Sequence, residues 1–297
     1  MIMDLWWLWA LLSGVVTSII LYTNQICKMP SSLLMCYRGI LMCVVLTPFA
    51  FFFNTPHNPW FWILGAIQGL IISYSDKRSF LCSRVYGGEI TASIKPFVIA
   101  FVFVFWWVIN PSQLLEMISN PKSFIYTIMC MIGITGSLLM IRRGNITNEA
   151  FKLMFPALIC SVIVEANNKN ITTIGAEDGL FSSIFWYCWI TALFSGLPNF
   201  IKFLQKRDWK LIFVPKYVLG GCIVIVSVVI ANLLKNTAMY YAANPAYVTA
   251  LISLYPVWII IWNKFYYRKK NTEKFPSCDI VSVILLLVSV IVLIFMQ

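Results

Sequence analysis

The sequence predicts an all-α integral membrane protein whose ten transmembrane helices form two inverted five-helix repeats, and three observations lead there. Of its 297 residues, 60% are hydrophobic and only 11% are charged, against roughly a quarter charged in an ordinary soluble domain. Apolar runs of membrane-crossing length recur along the chain, with links between them too short to form a separate soluble domain. A faint internal repeat relates the two halves.

The expected spans are 5–23, 32–53, 60–80, 90–109, 123–141, 153–170, 180–201, 217–240, 245–265 and 279–296. Each approaches the roughly 20 helical residues that a hydrocarbon core requires, because lipid offers no partner to an unsatisfied backbone group. The first could be mistaken for a signal peptide, but it lacks a basic leader and a small-residue cleavage site, so it is read as helix one. The links are punctuated by Met29-Pro30, the run 54–59 with its two prolines, Asn110-Pro111, Asn120-Pro121, Asn244-Pro245 and Pro276-Ser277. Proline has no donor and cannot continue a helix, so these mark turns. The halves divide as 1–144 and 145–297, five helices each.

The repeat rests on Ser93-Ile94-Lys95-Pro96 in the fourth segment and Ser253-Leu254-Tyr255-Pro256 in the ninth. The same offset pairs Asp76 with Asn236 and Phe80 with Tyr240. An odd number of helices per half inverts one half relative to the other, a plan that in transporters places the substrate where the halves meet.

With the two five-helix halves, Arg38 in Cys36-Tyr37-Arg38-Gly39, and Pro96 and Pro256 in the fourth and ninth segments, the chain resembles the drug/metabolite transporter superfamily. It looks most like the EamA-like ten-helix members, and more distantly like the nucleotide-sugar and triose-phosphate translocators. Where that family usually has a glutamate just after helices four and nine, this chain has Asn110 and the basic run from Lys264. The resemblance implies termini in the cytoplasm. Loop charge implies the opposite: most Lys and Arg lie in links after odd-numbered segments, such as Arg142, Arg143, Lys206, Arg207 and Lys264–Lys274, and the positive-inside rule puts those links in the cytoplasm and both termini outside. Both orientations stay open.

A net charge of +11 gathered in short links orients the chain among lipid headgroups and does not form a nucleic-acid stripe. The nine cysteines are scattered without a Cys-x-x-Cys pair, and the one histidine, His57, has no visible partner for catalysis or metal binding. No phosphate-binding loop or metal motif occurs. The expectation is therefore no cofactor, no metal and no enzymatic activity.

Ionisable groups at bilayer depth cost about 2.5–3.5 kcal/mol each on insertion scales, which makes them functional candidates. Lys95 leads, since it precedes the repeat proline, whose missing donor frees a carbonyl; Tyr255 is its counterpart, with Ser93 and Ser253 beside them. Glu165-Ala166-Asn167-Asn168-Lys169-Asn170 is the densest polar cluster in any span. There Asn167, Asn168 and Lys169 are substrate-binding candidates, because carboxamides both donate and accept, and Glu165 is the proton-coupling candidate. Arg38, Asp76 and Lys235 complete the substrate-binding set. Structural readings stand beside these: Lys95 as an ion-pair partner, Arg38 snorkelling to headgroups, Glu165 as a neutral hydrogen-bonded acid, and Gly65-x-x-x-Gly69 as close helix packing. Embedded candidates number six basic (38, 77, 78, 95, 169, 235) against three acidic (76, 89, 165), which favours an anionic or zwitterionic solute.

The function expected is secondary active transport of a small polar metabolite, such as an amino acid, organic acid or sugar phosphate, by alternating access. The alternatives are a membrane-embedded lipid-modifying enzyme and a non-transporting scaffold. Expected partners are a small-molecule substrate, the lipid bilayer, and protons or a counter-substrate, but no nucleic acid, with the chain a monomer or homodimer. The expected location is the cell (inner) membrane, crossed many times.

Overall fold

Long apolar runs separated by short links with donor-less prolines produce a chain of helices. The computed structural model describes residues 5–86, 90–91, 94, 97–140, 147–205, 208–255, 257–259, 261–262 and 280–295, and among these there are eleven helices and no strand once the broken second rod is counted as one. They are α1 Trp6–Cys27, α2 Ser31–Phe52, α3 Pro59–Val85, α4 Phe97–Ile109, α5 Pro111–Ser119, α6 Pro121–Met140, α7 Asn148–Gly175, α8 Leu180–Gln205, α9 Pro215–Tyr241, α10 Pro245–Ile252 and α11 Ile280–Phe295.

The Asn-Pro pairs do more than mark turns. Proline takes the first helical position of α3, α5, α6 and α10, where its missing N–H would have had no intrahelical partner and its φ suits the helix. Asn58 Oδ1 accepts from Trp60 N at 3.0 Å and Asn244 Oδ1 from Ala246 N at 2.8 Å. Thr147 starts α7 in the same way, accepting from Ala150 N at 3.2 Å. The α1 rod ends on Lys28 in the left-handed region (φ 52°), whose N–H bonds Asn24 O at 2.8 Å before Pro30 forbids a continuation.

The expectation of ten membrane-spanning helices in an EamA-like fold is overturned. Helix forms over at least part of each expected segment, yet among the described residues only α1, α2, α8 and α9 are long and apolar enough to cross a membrane, or five spans if α4 and α5 are joined across their 101° bend. Polarity accounts for part of the difference. Helices α4, α10 and α11 border or lie close to residues that are not described, and their described parts count 13, 8 and 16 residues. The long helices α3 and α7 are interrupted by Gln68 and Asp76–Arg78 and by Glu165–Asn170. With two of the four spans in 6–52 and two in 180–241, the plan of two inverted five-helix repeats falls as well. Its matched prolines, Pro96 and Pro256, lie outside the described residues. What stands is an all-α chain with several long apolar helices, consistent with association with a membrane.

The helices form one bundle in which the two ends of the chain interleave. Helix α1 packs along α9, α3 along both α7 and α8, and α6 along α11. Two large buried apolar clusters result, one around Ile94, Val98–Phe103, Ala150–Val162 and Ala238–Leu254, the other around Leu33–Leu46, Phe61 and Ile184–Ala192, with a small third formed by Leu21, Tyr255 and Ile259. Small residues set the helix spacing. A Cβ on Gly65 would meet Ile190 Cγ2 at 2.7 Å, and one on Gly69 would meet Phe194 Cβ at 2.7 Å, so the GxxxG is a close-packing surface between α3 and α8.

Candidate functional site

Gly39 and Gly196 decide where the site lies. At their crossing α2 and α8 meet backbone to backbone, and a Cβ on either glycine would overlap the other's main chain. Over the same stretch α2 widens into a π-helical turn, Tyr37–Leu41, a form of local unwinding often found at functional positions. Tyr37 packs against Gly221 and donates to Ile212 O at 2.6 Å. The neighbouring Arg38 then lines a cavity of about 190 Å³ bordered by α1, α2, α3, α4, α7, α8, α9 and α10.

Two ion pairs stand in the cavity wall. Arg38 pairs with Asp76 of α3, both side chains 19% exposed. Lys235 of α9 donates to Glu165 Oε1 of α7 at 2.7 Å, with exposures of 17% and 16%. Thr249 of α10 donates to Pro245 O at 2.9 Å and holds the same hydroxyl 3.4 Å from Glu165 Oε2. All of these residues line the cavity. Charges so sheltered persist only because each has an opposite charge within hydrogen-bonding reach.

The cavity wall also carries part of a buried amide network. Asn168 Oδ1 accepts from Gln68 Nε2 and from the Tyr187 hydroxyl, Gln68 Nε2 also reaches Tyr187 Oη at 2.8 Å, and Asn167 Nδ2 donates to Gln68 Oε1 at 2.7 Å. This ties α3, α7 and α8 together, and Asn168 and Tyr187 line the cavity. Ser13, Thr17, Ser75, Ser161, Thr191 and Ser195 add to the lining.

Several sequence-predicted residues therefore converge. Arg38, Asp76, Glu165, Asn168, Lys235, Ser253 and Tyr255 all line the cavity. Asn167 does not line it but donates to Gln68, which bonds the lining residues Asn168 and Tyr187. Lys169 is placed elsewhere: its ammonium donates to Ala242 O and, at 3.3 Å, to Met239 O, and it lies 5.8 Å from the Trp106 ring centroid. It thus neutralises the carbonyl end of α9. Lys95 and Ser93 lie outside the described residues, as does Glu89. Arg78 stays outside the cavity, with Nη1 3.4 Å from Leu153 O and its guanidinium 4.7 Å from the centroid of the Tyr74 ring.

Gln68, Tyr187 and Thr249 were missed by sequence reasoning. Gln68 carried a usable signal, a carboxamide in an otherwise apolar stretch beside Gly69. Tyr187 carried none, since it sits among the aromatics of Phe185-Trp186-Tyr187-Cys188-Trp189 and reads as an interface belt.

His57 does have a partner. Its backbone N–H donates to Asp178 Oδ2 at 2.9 Å and its Nδ1 lies 2.7 Å from Asp178 Oδ1, which joins the link before α3 to the 3-10 turn Ala176–Asp178. The backbone donor first, and then the imidazole, hold the Asp178 carboxyl below its ordinary value of 3.8. Among the described residues no group of three or more His, Cys, Asp or Glu side chains is placed to share a metal ion.

No family model matches the chain, and no curated protein matches it significantly. The resemblance to the drug/metabolite transporter superfamily is thus without a family match as well as without its ten spans.

Proposed function

We propose that the protein is a secondary active transporter that moves a small polar metabolite, anionic or zwitterionic, through the cavity by alternating access. The observation that carries this reading is the cavity itself, where two ion pairs and an amide network surround an opening of about 190 Å³ inside a bundle whose long helices are apolar. The cavity volume lies below the roughly 300–1,000 Å³ of pockets for drug-sized ligands, which suits a small metabolite. Sheltered ionisable groups are costly to keep, and an interior path is where they are ordinarily found in membrane proteins. On this reading the chain is a carrier and not an enzyme, works as a multi-pass protein of the cell membrane, and couples to protons at Glu165 or to a counter-substrate.

Purified protein in liposomes, offered a panel of radiolabelled amino acids, organic acids and sugar phosphates, tests the reading. Saturable uptake or exchange of at least one solute is expected, sensitive to substitution at Arg38 or Glu165. Folded, monodisperse protein that moves none of them would refute it.

A further inference from the structure

Charge accounting inside the cavity narrows the solute, on the premise that the protein is a carrier. Six basic candidates against three acidic ones pointed to a positive path, but the lining does not keep that excess. Lys169 is spent on the end of α9, Lys77 and Arg78 are not in the wall, and Lys95 and Glu89 lie outside the described residues. Among the described lining residues stand two cations, Arg38 and Lys235, and two carboxylates, Asp76 and Glu165, each bound to its opposite.

The charges of the described lining cancel, so they offer an ion no net attraction. An anion that engages Arg38 or Lys235 draws it from its carboxylate and leaves that carboxylate sheltered and unpaired, and a cation that engages Glu165 does the same to Lys235. Removing one partner of a buried pair is costly, whereas a pair kept whole is close to neutral. A solute bearing both an ammonium and a carboxylate escapes the penalty, because every charge it displaces is met by one it brings.

We propose that the cavity selects a zwitterion that inserts into the Glu165–Lys235 pair, its ammonium taken by Glu165 and its carboxylate by Lys235, while Arg38 and Asp76 stay paired. The pair is then an exchange site that holds the empty cavity neutral and opens as the solute inserts. The cavity volume suits a small α-amino acid or a compound of similar size. Glu165 and Lys235 are the specificity determinants because they belong to different helices, α7 and α9, so that one solute with two charged ends bridges them.

The test is an uptake panel in liposomes. It contains the radiolabelled protein amino acids and, for the best of them, the deaminated acid, the decarboxylated amine and a neutral sugar of similar size. The zwitterion is expected to be transported at least about a hundredfold better, by kcat/KM, than either singly charged analogue. Transport confined to anions, to amines or to the sugar overturns this inference while leaving the carrier reading in place. No transport of any solute overturns both. The double substitution Glu165→Gln with Lys235→Met removes one pair without stranding a charge. In that protein the preference for the zwitterion over its deaminated acid is expected to fall at least tenfold, and an unchanged preference would overturn the assignment of the solute to the Glu165–Lys235 pair.

Discussion

The Glu165–Lys235 pair offers the sharpest energetic test of the cavity. With 2.7 Å between Nζ and Oε1, the attraction is about 6 kcal/mol at an effective dielectric of 20, and most of it is offset by the loss of water from both ions. What survives a deletion is the asymmetry. Glu165→Gln or Lys235→Met alone strands a charge that is only 17% or 16% exposed, at a cost of about 2–4 kcal/mol once residual hydration is allowed for. The double substitution leaves two neutral groups of similar shape and costs about 1 kcal/mol or less. At roughly 2 °C per kcal/mol for a chain of this size, each single variant should melt about 4–8 °C below the wild-type protein, and the double variant within about 2 °C of it. Thermal unfolding in detergent, followed by loss of the monodisperse peak in size-exclusion chromatography, reads this directly. The coupling energy from the four proteins isolates the pair from the background of each substitution. If the single effects simply add in the double variant, the two groups act independently and the charge accounting of the cavity is wrong.

Three further outcomes are expected. Gly196→Ala places a methyl group against the backbone of Gly39 and Ile40, so it should destabilise by at least about 1–3 kcal/mol, whereas Gly136→Ala, with open space around it, should melt near the wild-type temperature; equal melting of the two would refute the backbone crossing. Lys169→Ala removes the cation on the α9 carbonyls and should lower the melting temperature by a few degrees, about 1–2 kcal/mol, with the KM for uptake unchanged; a large rise in KM would return Lys169 to the substrate path. Asp178→Asn should matter only where the carboxylate is charged: because the folded value lies below the ordinary 3.8, the stabilisation is present above that pH and is lost as the pH falls through the folded value, so wild-type and variant melting curves should differ at neutral pH and converge in acid.

Composition and punctuation made the helical class and most helix starts legible. Asn58-Pro59 and Asn244-Pro245 name a cap and a first helical residue in one dipeptide, and local chemistry alone suffices there because the donor and acceptor are two residues apart. The span count failed for a physical reason. Reading apolar runs by eye passes over Gln68 and Glu165 as single exceptions, although they and their neighbours deprive α3 and α7 of a continuous apolar stretch.

The candidate site divided along the same line. That Arg38, Asp76, Glu165 and Lys235 are too costly to be idle follows from burying charge in an apolar chain, and the sequence alone determined it. Which of them meet does not follow, since Arg38 and Asp76 sit on different helices, as do Glu165 and Lys235. The tertiary structure alone decided that four charges form two neutral pairs around one cavity, that Lys169 faces a helix end instead, and that Gln68 and Tyr187 join Asn168. Helix packing set those partners through the glycine crossing of α2 and α8 and the GxxxG surface of α3, because a side chain's neighbour across a bundle depends on how closely two backbones approach.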